Sequence, residues 1–333
     1  MANSGKKILV NVYHLAEREA PYLQRLRDAG FELVFNRLAR QQTAEELIAA
    51  LPGAFGTVAG GEPYTEQVFA APAARDLRIV ARFGVGYDRV DVPAATRHGV
   101  AVAMAFGANH ESVADGAFAL LAAIAGRIVM RDRQVRSGGW GDAFHPGLWR
   151  ATVGVLGTGR IGRAFIRRCK GFDMRVIAHD PAGDAAWAKA NGVTLMPLDQ
   201  VMREADYISL HAPWTKDTEN MINAEKLALM KKTAFLINTA RGQLVDEDAL
   251  CQALKAGKIA GAAIDCFRKE PPSGSPLLAL DNVILTPHST GMDVTGEHAM
   301  ANRCIDSILA CWRGENPGDE FVLNPEALRK RAQ

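Results

Sequence analysis

Five side chains able to grip an anion or carry a proton follow short apolar runs between residues 207 and 288 of this 333-residue chain. His211 follows Tyr207–Leu210, and Arg241 comes three residues after Asn238 closes the run from Phe235. Asp265 follows Ala262–Ile264, Glu270 comes shortly after it, and His288 follows Val283–Leu285 through Thr286-Pro287. A guanidinium beside glycine suits an anion, because its planar fork of N–H donors pairs with two oxygens at once. Imidazole is the side chain whose ordinary pKa lets it give or take a proton near neutral pH. Taken singly, each residue has a plain structural use. Arg241 and Glu270 could be solvated surface charges, His288 a satisfied core imidazole, and Asp265 the cap of a turn. The functional reading rests on the set, gathered at one edge of a sheet.

A second constellation precedes them. Val153-Gly-Val-Leu-Gly157-Thr-Gly159-Arg-Ile-Gly162 reads as a strand running through GxGxxG into a helix. The motif alone is weak, but here a β-run precedes it, an amphipathic segment (Ile161, Phe165, Ile166, Cys169) follows, and a second strand ends in Asp180. Gly157 permits the tight turn, Gly159 lets the backbone approach a pyrophosphate, and Gly162 allows close packing of helix on strand. The helix start then offers unpaired N–H groups to phosphate. A carboxylate at Asp180 accepts from ribose hydroxyls and repels the extra phosphate of NADP, so NAD is the expected cofactor. A glycine-rich turn with a surface aspartate is the bland alternative.

These side chains need a scaffold, and the flanking sequence supplies an α/β one. Lys7–Val12, Leu33–Phe35, Ile79–Ala81 and Val100–Ala103 read as strands separated by helical or turn-rich sequence, which implies βαβ units and a parallel sheet. Val113, Ala117, Leu120, Leu121, Ile124 and Ile128 recur at helical spacing and predict one long helix over 112–136, with Ser112 and Asp115 as a capping box. The stretch 137–150 breaks the pattern. A second series follows at Thr152–Leu156, Arg175–Ala178, Tyr207–Leu210, Ala234–Ile237, Ala262–Asp265 and Val283–Leu285. A last helix is expected near 294–312. In an open sheet of this kind ligands bind outside the carboxyl ends of the strands, which is where the polar residues fall.

Bulk properties exclude several classes. Formal net charge is +2 and no basic stripe is visible, so no nucleic-acid partner is expected. The longest apolar stretch, 117–126, is far short of the ~20 residues of a membrane helix, and no membrane association is expected. The N-terminus lacks the apolar core of an export signal. The five cysteines fall at irregular spacings with no CxxC pair, which suits free thiols in a reducing cytoplasm. They read as small buried hydrophobes. Neither HExxH nor a His/Cys ligand cluster is visible, so no metal is expected.

Together the motifs resemble one family, the D-isomer-specific 2-hydroxyacid dehydrogenases. The matching segments run in order over nearly the whole chain: Arg82-Phe-Gly-Val-Gly-Tyr-Asp88, Asn109 through Ser112-Val-Ala-Asp115, the GxGRIG loop, His211-Ala-Pro213, Asn238-Thr-Ala-Arg-Gly-Gln-Leu-Val-Asp246, Ala262-Ala-Ile-Asp265 and Thr286-Pro-His288. The resemblance implies an α/β fold of two Rossmann-like or flavodoxin-like doubly wound domains with a cleft between them. The substrate domain would be discontinuous, 1–104 with 294–333, and the NAD-binding domain 105–293. It implies Arg241, Glu270 and His288 as the catalytic trio. Arg241 binds the carboxylate of a small 2-hydroxy or 2-oxo acid, His288 exchanges the proton, and Glu270 favours the charged imidazole. The Val85-Gly86 backbone helps hold the carboxylate. Cofactor contacts are expected from Gly157, Gly159, Arg160, Ile161, Gly162, Asp180, His211, Pro213, Thr239, Asp265 and His288. A homodimer through the NAD-binding domain is also implied.

Several positions depart from the family pattern: Met104 and Phe106 before Asn109, Asp115, Arg89, and Trp214 after His211-Ala-Pro213. Met104, Phe106 and Trp214 are expected to reshape a pocket wall or the hinge. The loop Ala59-Gly60-Gly61-Glu62-Pro63-Tyr64 lacks the arginine that phosphoglycerate-using relatives carry nearby, which leans toward glyoxylate, hydroxypyruvate or glycerate. D-3-phosphoglycerate dehydrogenase is the nearest alternative, and an NAD-sensing corepressor-like binding protein the alternative from another class. Glu270 beside His288 argues against formate dehydrogenase, which carries a glutamine there.

Overall fold

A computed structural model of the chain describes residues 6–13, 15, 20–38, 40–141 and 144–329. The chain divides into two compact units, Met1–Asn109 with Val294–Gln333, and His110–Asp293.

The first unit is built on a five-stranded parallel sheet in the order β2-β1-β3-β4-β5. Its strands are β1 (Lys7–Val10), β2 (Glu32–Phe35), β3 (Ala54–Ala59), β4 (Ile79–Arg82) and β5 (Ala101–Met104). This is the flavodoxin-like arrangement. β3 has no counterpart in the sequence reading, since Ala54, Gly56 and Ala59 interrupt its β-favouring Phe55, Thr57 and Val58, yet all six of its residues are buried in the centre of the sheet. Helix starts are fixed locally. Thr43 and Glu46 form a reciprocal capping box, and the Asp91 carboxylate accepts from Ala94 N. The helix Val294–Trp312 returns to this unit, where Cys304, Ile305 and Ile308 join Ile8, Val10, Ile79 and Ala101 in one apolar cluster. Beyond it, buried Asn324 accepts from Val102 N at 2.8 Å and donates to Val100 O at 2.9 Å. Met104 is buried and Phe106 packs beside it in the same unit's second cluster, so both side chains pack into the core of the first unit.

The second unit carries a seven-stranded parallel sheet in the order β12-β11-β10-β9-β6-β7-β8. Its strands are β6 (Thr152–Leu156), β7 (Arg175–His179), β8 (Thr194–Leu195), β9 (Tyr207–Leu210), β10 (Phe235–Asn238), β11 (Gly261–Ile264) and β12 (Val283–Leu285). Strand order reverses beside β6, the switch point where doubly wound sheets bind ligands. Alternate residues of each strand feed two separate apolar clusters. Leu156, Ile208, Leu236 and Ile264 enter one, and Val155, Tyr207, Ile237 and Ala263 the other, as the two-residue period of a strand requires.

The long helix expected over 112–136 is two helices, His110–Ala125 and Ile128–Arg136, bent by 56°. Gly126 is a poor helix former, and Arg127 adopts a left-handed conformation (φ 52°). The first helix buries Ala117, Leu121 and Ile124, whereas the second buries nothing. Ser112 and Asp115 lie inside the first helix and form no capping box; Asp115 instead pairs with Arg168 Nε at 2.6 Å. Ile128, Met130 and Val135 are exposed, as are Trp140 (90% exposed) and Trp149 (67%) further on. Among the described residues no single helix is long and apolar enough to cross a membrane.

Candidate functional site

Strand register brings the chemistry to one edge of the second unit. Leu156 pairs with Leu210, Leu210 with Asn238, Asn238 with Ile264, and Ile264 with Leu285. The residues that follow these ends therefore emerge together: Gly157, His211, Thr239, Asp265 and Thr286.

The glycine loop shows why its side chains are missing. Gly157 has φ 100°, and a Cβ there would run into the His211–Ala212 peptide. At Gly162 it would strike the Gly157 carbonyl, so the helix Arg160–Lys170 sits tight against the loop. At Gly159 a Cβ would meet nothing within 4 Å, so the space before the loop is open. Arg160 and Ile161 lie in the first turn of that helix, whose leading N–H groups have no intrahelical partner and suit an anion.

Asp180 is tied back to this loop. Thr158 N and Thr158 Oγ1 donate to Oδ2 at 2.7 and 2.8 Å, and Ala182 N donates to Oδ1 at 3.0 Å. Partial burial alone would raise its pKa, and these donors outweigh that and hold it below the ordinary value. A carboxylate has about four acceptor positions, so capacity for a hydroxyl remains. His211 follows β9 at this edge and is half-buried. Its ring packs on Phe165 with centroids 4.8 Å apart and bonds Ser209 Oγ at 3.0 Å, and enclosure pushes its pKa down to about 3, leaving it neutral. Pro213 is exposed, while Trp214 packs against the core cluster containing Leu156. Thr239 Oγ1 is buried with no hydrogen-bond partner among the described residues. Open space at Gly159, spare acceptor capacity on Asp180 and the orphaned Thr239 hydroxyl fit a bound dinucleotide.

Arg241 follows β10 and is set by its neighbours. Asn238 Nδ2 donates to Arg241 O at 2.9 Å, and Asn238 Oδ1 accepts from Ala240 N at 3.0 Å. Gly242 lies against the Phe267–Arg268 peptide so closely that any Cβ would collide with it. The Arg241 turn is thus pressed onto the loop leading to Glu270.

Glu270 and His288 form a direct pair, His288 Nδ1 lying 2.9 and 3.0 Å from the two carboxylate oxygens. Phe267 N donates to Glu270 Oε1 at 3.0 Å. Burial would raise the Glu270 pKa; the His288 ring, the Phe267 N–H and the Arg241 charge outweigh it and lower the value. His288 is raised to about 10, by Cys266 and by Glu270, against the opposing effect of burial. Its backbone is left-handed (φ 53°), a conformation that costs a non-glycine residue roughly 1 kcal/mol or more.

Asp265 holds that conformation. It is completely buried, its carbonyl accepts from His288 N at 2.9 Å, and its carboxylate accepts from four donors. These are Thr286 Oγ1 at 2.6 Å, Ser289 N at 2.9 Å, Thr290 N at 3.2 Å and Thr290 Oγ1 at 2.8 Å. Its side chain is spent on the segment carrying His288. Cys266, read from sequence as a small buried hydrophobe, has its thiol beside the His288 ring. Its position directly after Asp265, four residues before Glu270, was the available signal.

Val85 and Gly86 belong to the first unit, in the turn after β4. Arg82 Nε and Nη2 both donate to Gly86 O, at 3.1 and 3.0 Å. Glu62, in the loop after β3, is buried, and burial raises its pKa to about 7 against the pull of Arg82 and Arg89.

Residues 118–290 match the family model described as D-isomer specific 2-hydroxyacid dehydrogenase, NAD binding domain. A glyoxylate reductase of Korarchaeum cryptofilum is 43% identical over 277 residues, covering 81% of this chain and 82% of that protein. One from Pyrococcus furiosus is 44% identical over 264 residues, covering 77% and 78%. Among solved structures, the TT0316 protein of Thermus thermophilus superposes with TM-score 0.86 at 34% identity, covering 95% of this chain and 99% of that one. D-lactate dehydrogenase from Aquifex aeolicus, complexed with NAD and lactic acid, superposes with TM-score 0.84 at 26% identity, with the same coverage.

Proposed function

The chain belongs to the D-isomer-specific 2-hydroxyacid dehydrogenases, NAD-dependent oxidoreductases acting on CH–OH groups, and on that premise we propose that it reduces a small 2-oxo acid of the glyoxylate type. The observation that carries the reading is the His288–Glu270 pair, 2.9 Å apart, at the same sheet edge as Arg241 and the glycine loop.

The second unit is assigned to the cofactor and the discontinuous first unit to the substrate. Gly157, Gly159, Arg160, Ile161 and Gly162 would hold the pyrophosphate, Asp180 the ribose, and Thr239 a polar group deeper in the site. His211 buttresses the glycine loop, with Pro213 beside it. When bound, the nicotinamide supplies hydride for reduction and takes it back in oxidation. Arg241 pairs with the substrate carboxylate by charge-assisted hydrogen bonds, and the Val85-Gly86 backbone is assigned to substrate as well. His288 holds a proton for the 2-oxo oxygen and recovers it in the reverse direction. Glu270 orients the ring through Nδ1, leaving the other ring nitrogen for substrate. Asp265 acts as a positioning residue for His288, without touching the reacting atoms.

The relatives named glyoxylate reductase support the substrate class. So does the loop after β3, in which Gly60, Gly61 and Glu62 supply no cation of their own for a phosphorylated acid. The exposed apolar side chains of Ile128, Met130, Val135, Trp140 and Trp149 support a homodimer through the second unit, since large apolar groups left in water favour a partner. Five free cysteines support a cytoplasmic location. The test is NADH oxidation by purified protein with glyoxylate, hydroxypyruvate, pyruvate and phosphohydroxypyruvate, each repeated with NADPH. Fastest turnover on glyoxylate or hydroxypyruvate with NADH is expected. Preference for the phosphorylated acid moves the assignment to phosphoglycerate, and a flat panel with tight NADH binding moves it to a sensor.

A further inference from the structure

Cys266 gives the edge of the second sheet a capacity that hydride transfer does not use. Among the described residues, Cys266, Glu270 and His288 each offer one metal-ligating atom, and the three atoms lie within 4.8 Å of one another. We propose that these three side chains form a binding site for a thiophilic divalent cation, zinc being the type, and that its occupancy suspends proton transfer at His288. The inhibitory half rests on the role assigned to His288 above; the binding half does not.

The donor set selects the ion. One thiolate, one imidazole and one carboxylate match the ligands of zinc, whose open sites use three protein ligands and leave a fourth position for water. Magnesium and calcium prefer oxygen throughout and gain nothing from sulfur. Metal–ligand lengths of about 2.0–2.3 Å place tetrahedral donors roughly 3.5 Å apart. His288 Nδ1 and Glu270 Oε1 are already at 2.9 Å, so small side-chain movements complete the geometry. The site is built in advance, because Cys266 and His288 both adjoin the hydrogen bonds that Asp265 makes to Thr286, Ser289 and Thr290. It is also reachable. The His288 side chain is 46% exposed and forms the entrance, while Cys266, 2% exposed, forms the floor.

The charges balance. A thiolate and a carboxylate supply two negative charges against the two positive charges of the ion. Arg241 opposes binding and Asp265 favours it, both being close enough to act on the sulfur. On binding, Cys266 gives up its thiol proton and His288 its ring proton. Both go to solvent, bonds form from sulfur and nitrogen to the metal, and no electrons are transferred. His288 then keeps its Nε2–H only as a neutral, metal-bound imidazole, a far weaker acid than the imidazolium, and proton transfer to the 2-oxo oxygen is suppressed.

The test uses the full-length protein without cofactor or substrate, titrated with cadmium and followed by the ultraviolet thiolate-to-cadmium charge-transfer band. One equivalent is expected to bind, the band being lost in Cys266→Ser and its midpoint moving to roughly tenfold higher cadmium or more in Glu270→Gln. Zinc is expected to inhibit NADH oxidation over the range in which it competes away that band, and a chelator to restore it. A band that is absent, or that survives in Cys266→Ser, overturns the site. Turnover undiminished when zinc has displaced the cadmium overturns the inhibition. A Cys266-dependent band in protein that reduces no 2-oxo acid supports the site and sinks the reductase reading; an active enzyme with no band does the reverse.

Discussion

At the residue scale, His288 must keep a proton at neutral pH and sit in a backbone conformation it does not favour. Cys266 and Glu270 meet the first demand, and Asp265 the second. His288→Ala is expected to lower kcat by about two to four orders of magnitude while leaving NADH affinity unchanged, read by steady-state kinetics beside fluorescence titration. Near-normal kcat would remove His288 from the chemistry. The reductive reaction uses the protonated ring, so its rate should hold through neutral pH and fall as pH rises through the His288 pKa of about 10. Because Cys266 is the larger support of that raised value, Cys266→Val should move the alkaline limb of kcat/KM to lower pH. A limb that stays in place would show that the sulfur does not help to hold the proton. Asp265→Asn replaces an oxygen that accepts from Thr290 with an NH₂ group, leaving one or two half-buried donors unpaired. The expected cost is about 1–3 kcal/mol per donor, seen as a lower urea midpoint together with a lower kcat. Arg241, Glu270 and His288 were legible as polar residues at strand ends, because the physics of a parallel sheet sends its carboxyl ends to one place. Cys266 was read only as a small buried hydrophobe, since its character comes chiefly from the His288 ring that another strand brings beside it.

At the scale of elements, tight backbone approaches decide what can be changed. Gly242 is the clearest case, with the Phe267–Arg268 peptide occupying the space of a side chain. Gly242→Ala should therefore displace the Arg241 turn, raising KM for the 2-oxo acid by about tenfold or more and lowering thermal stability, in line with the cost of overpacking, about 1–3 kcal/mol or more. Unchanged KM would mean that Arg241 does not depend on this contact. The glycine loop could be read directly because its spacing encodes the same kind of clearance. The strand β3 could not, because Ala54, Gly56 and Ala59 have little preference for strands and owe their state to burial on both faces. The two-residue β8 is too short to leave a pattern. The helix expected over 112–136 failed for a different reason. Apolar spacing carried on past the point where Gly126 and Arg127 turn the chain, and periodicity reports a face without reporting a bend.

At the scale of the whole molecule, the exposed apolar residues after that bend are the basis for expecting a dimer. Trp140→Glu with Val135→Glu should shift sedimentation velocity from dimer to monomer at micromolar concentration. A wild-type protein already monomeric there would overturn the assignment. The division of the chain carries a consequence for synthesis. The first unit's core needs Cys304, Ile305 and Ile308, and its fifth strand is closed off by Asn324, so a sheet whose strands precede the second unit waits for residues made after it. The unit His110–Asp293 has all its strands as soon as residue 293 clears the exit tunnel. Domains form as units once their sequence is available, so the order of folding here reverses the order of translation. Residues 6–109 remain a customer for chaperones until the helix Val294–Trp312 has emerged. A nascent chain arrested after residue 293 should show a protease-resistant second unit and a digestible N-terminal third.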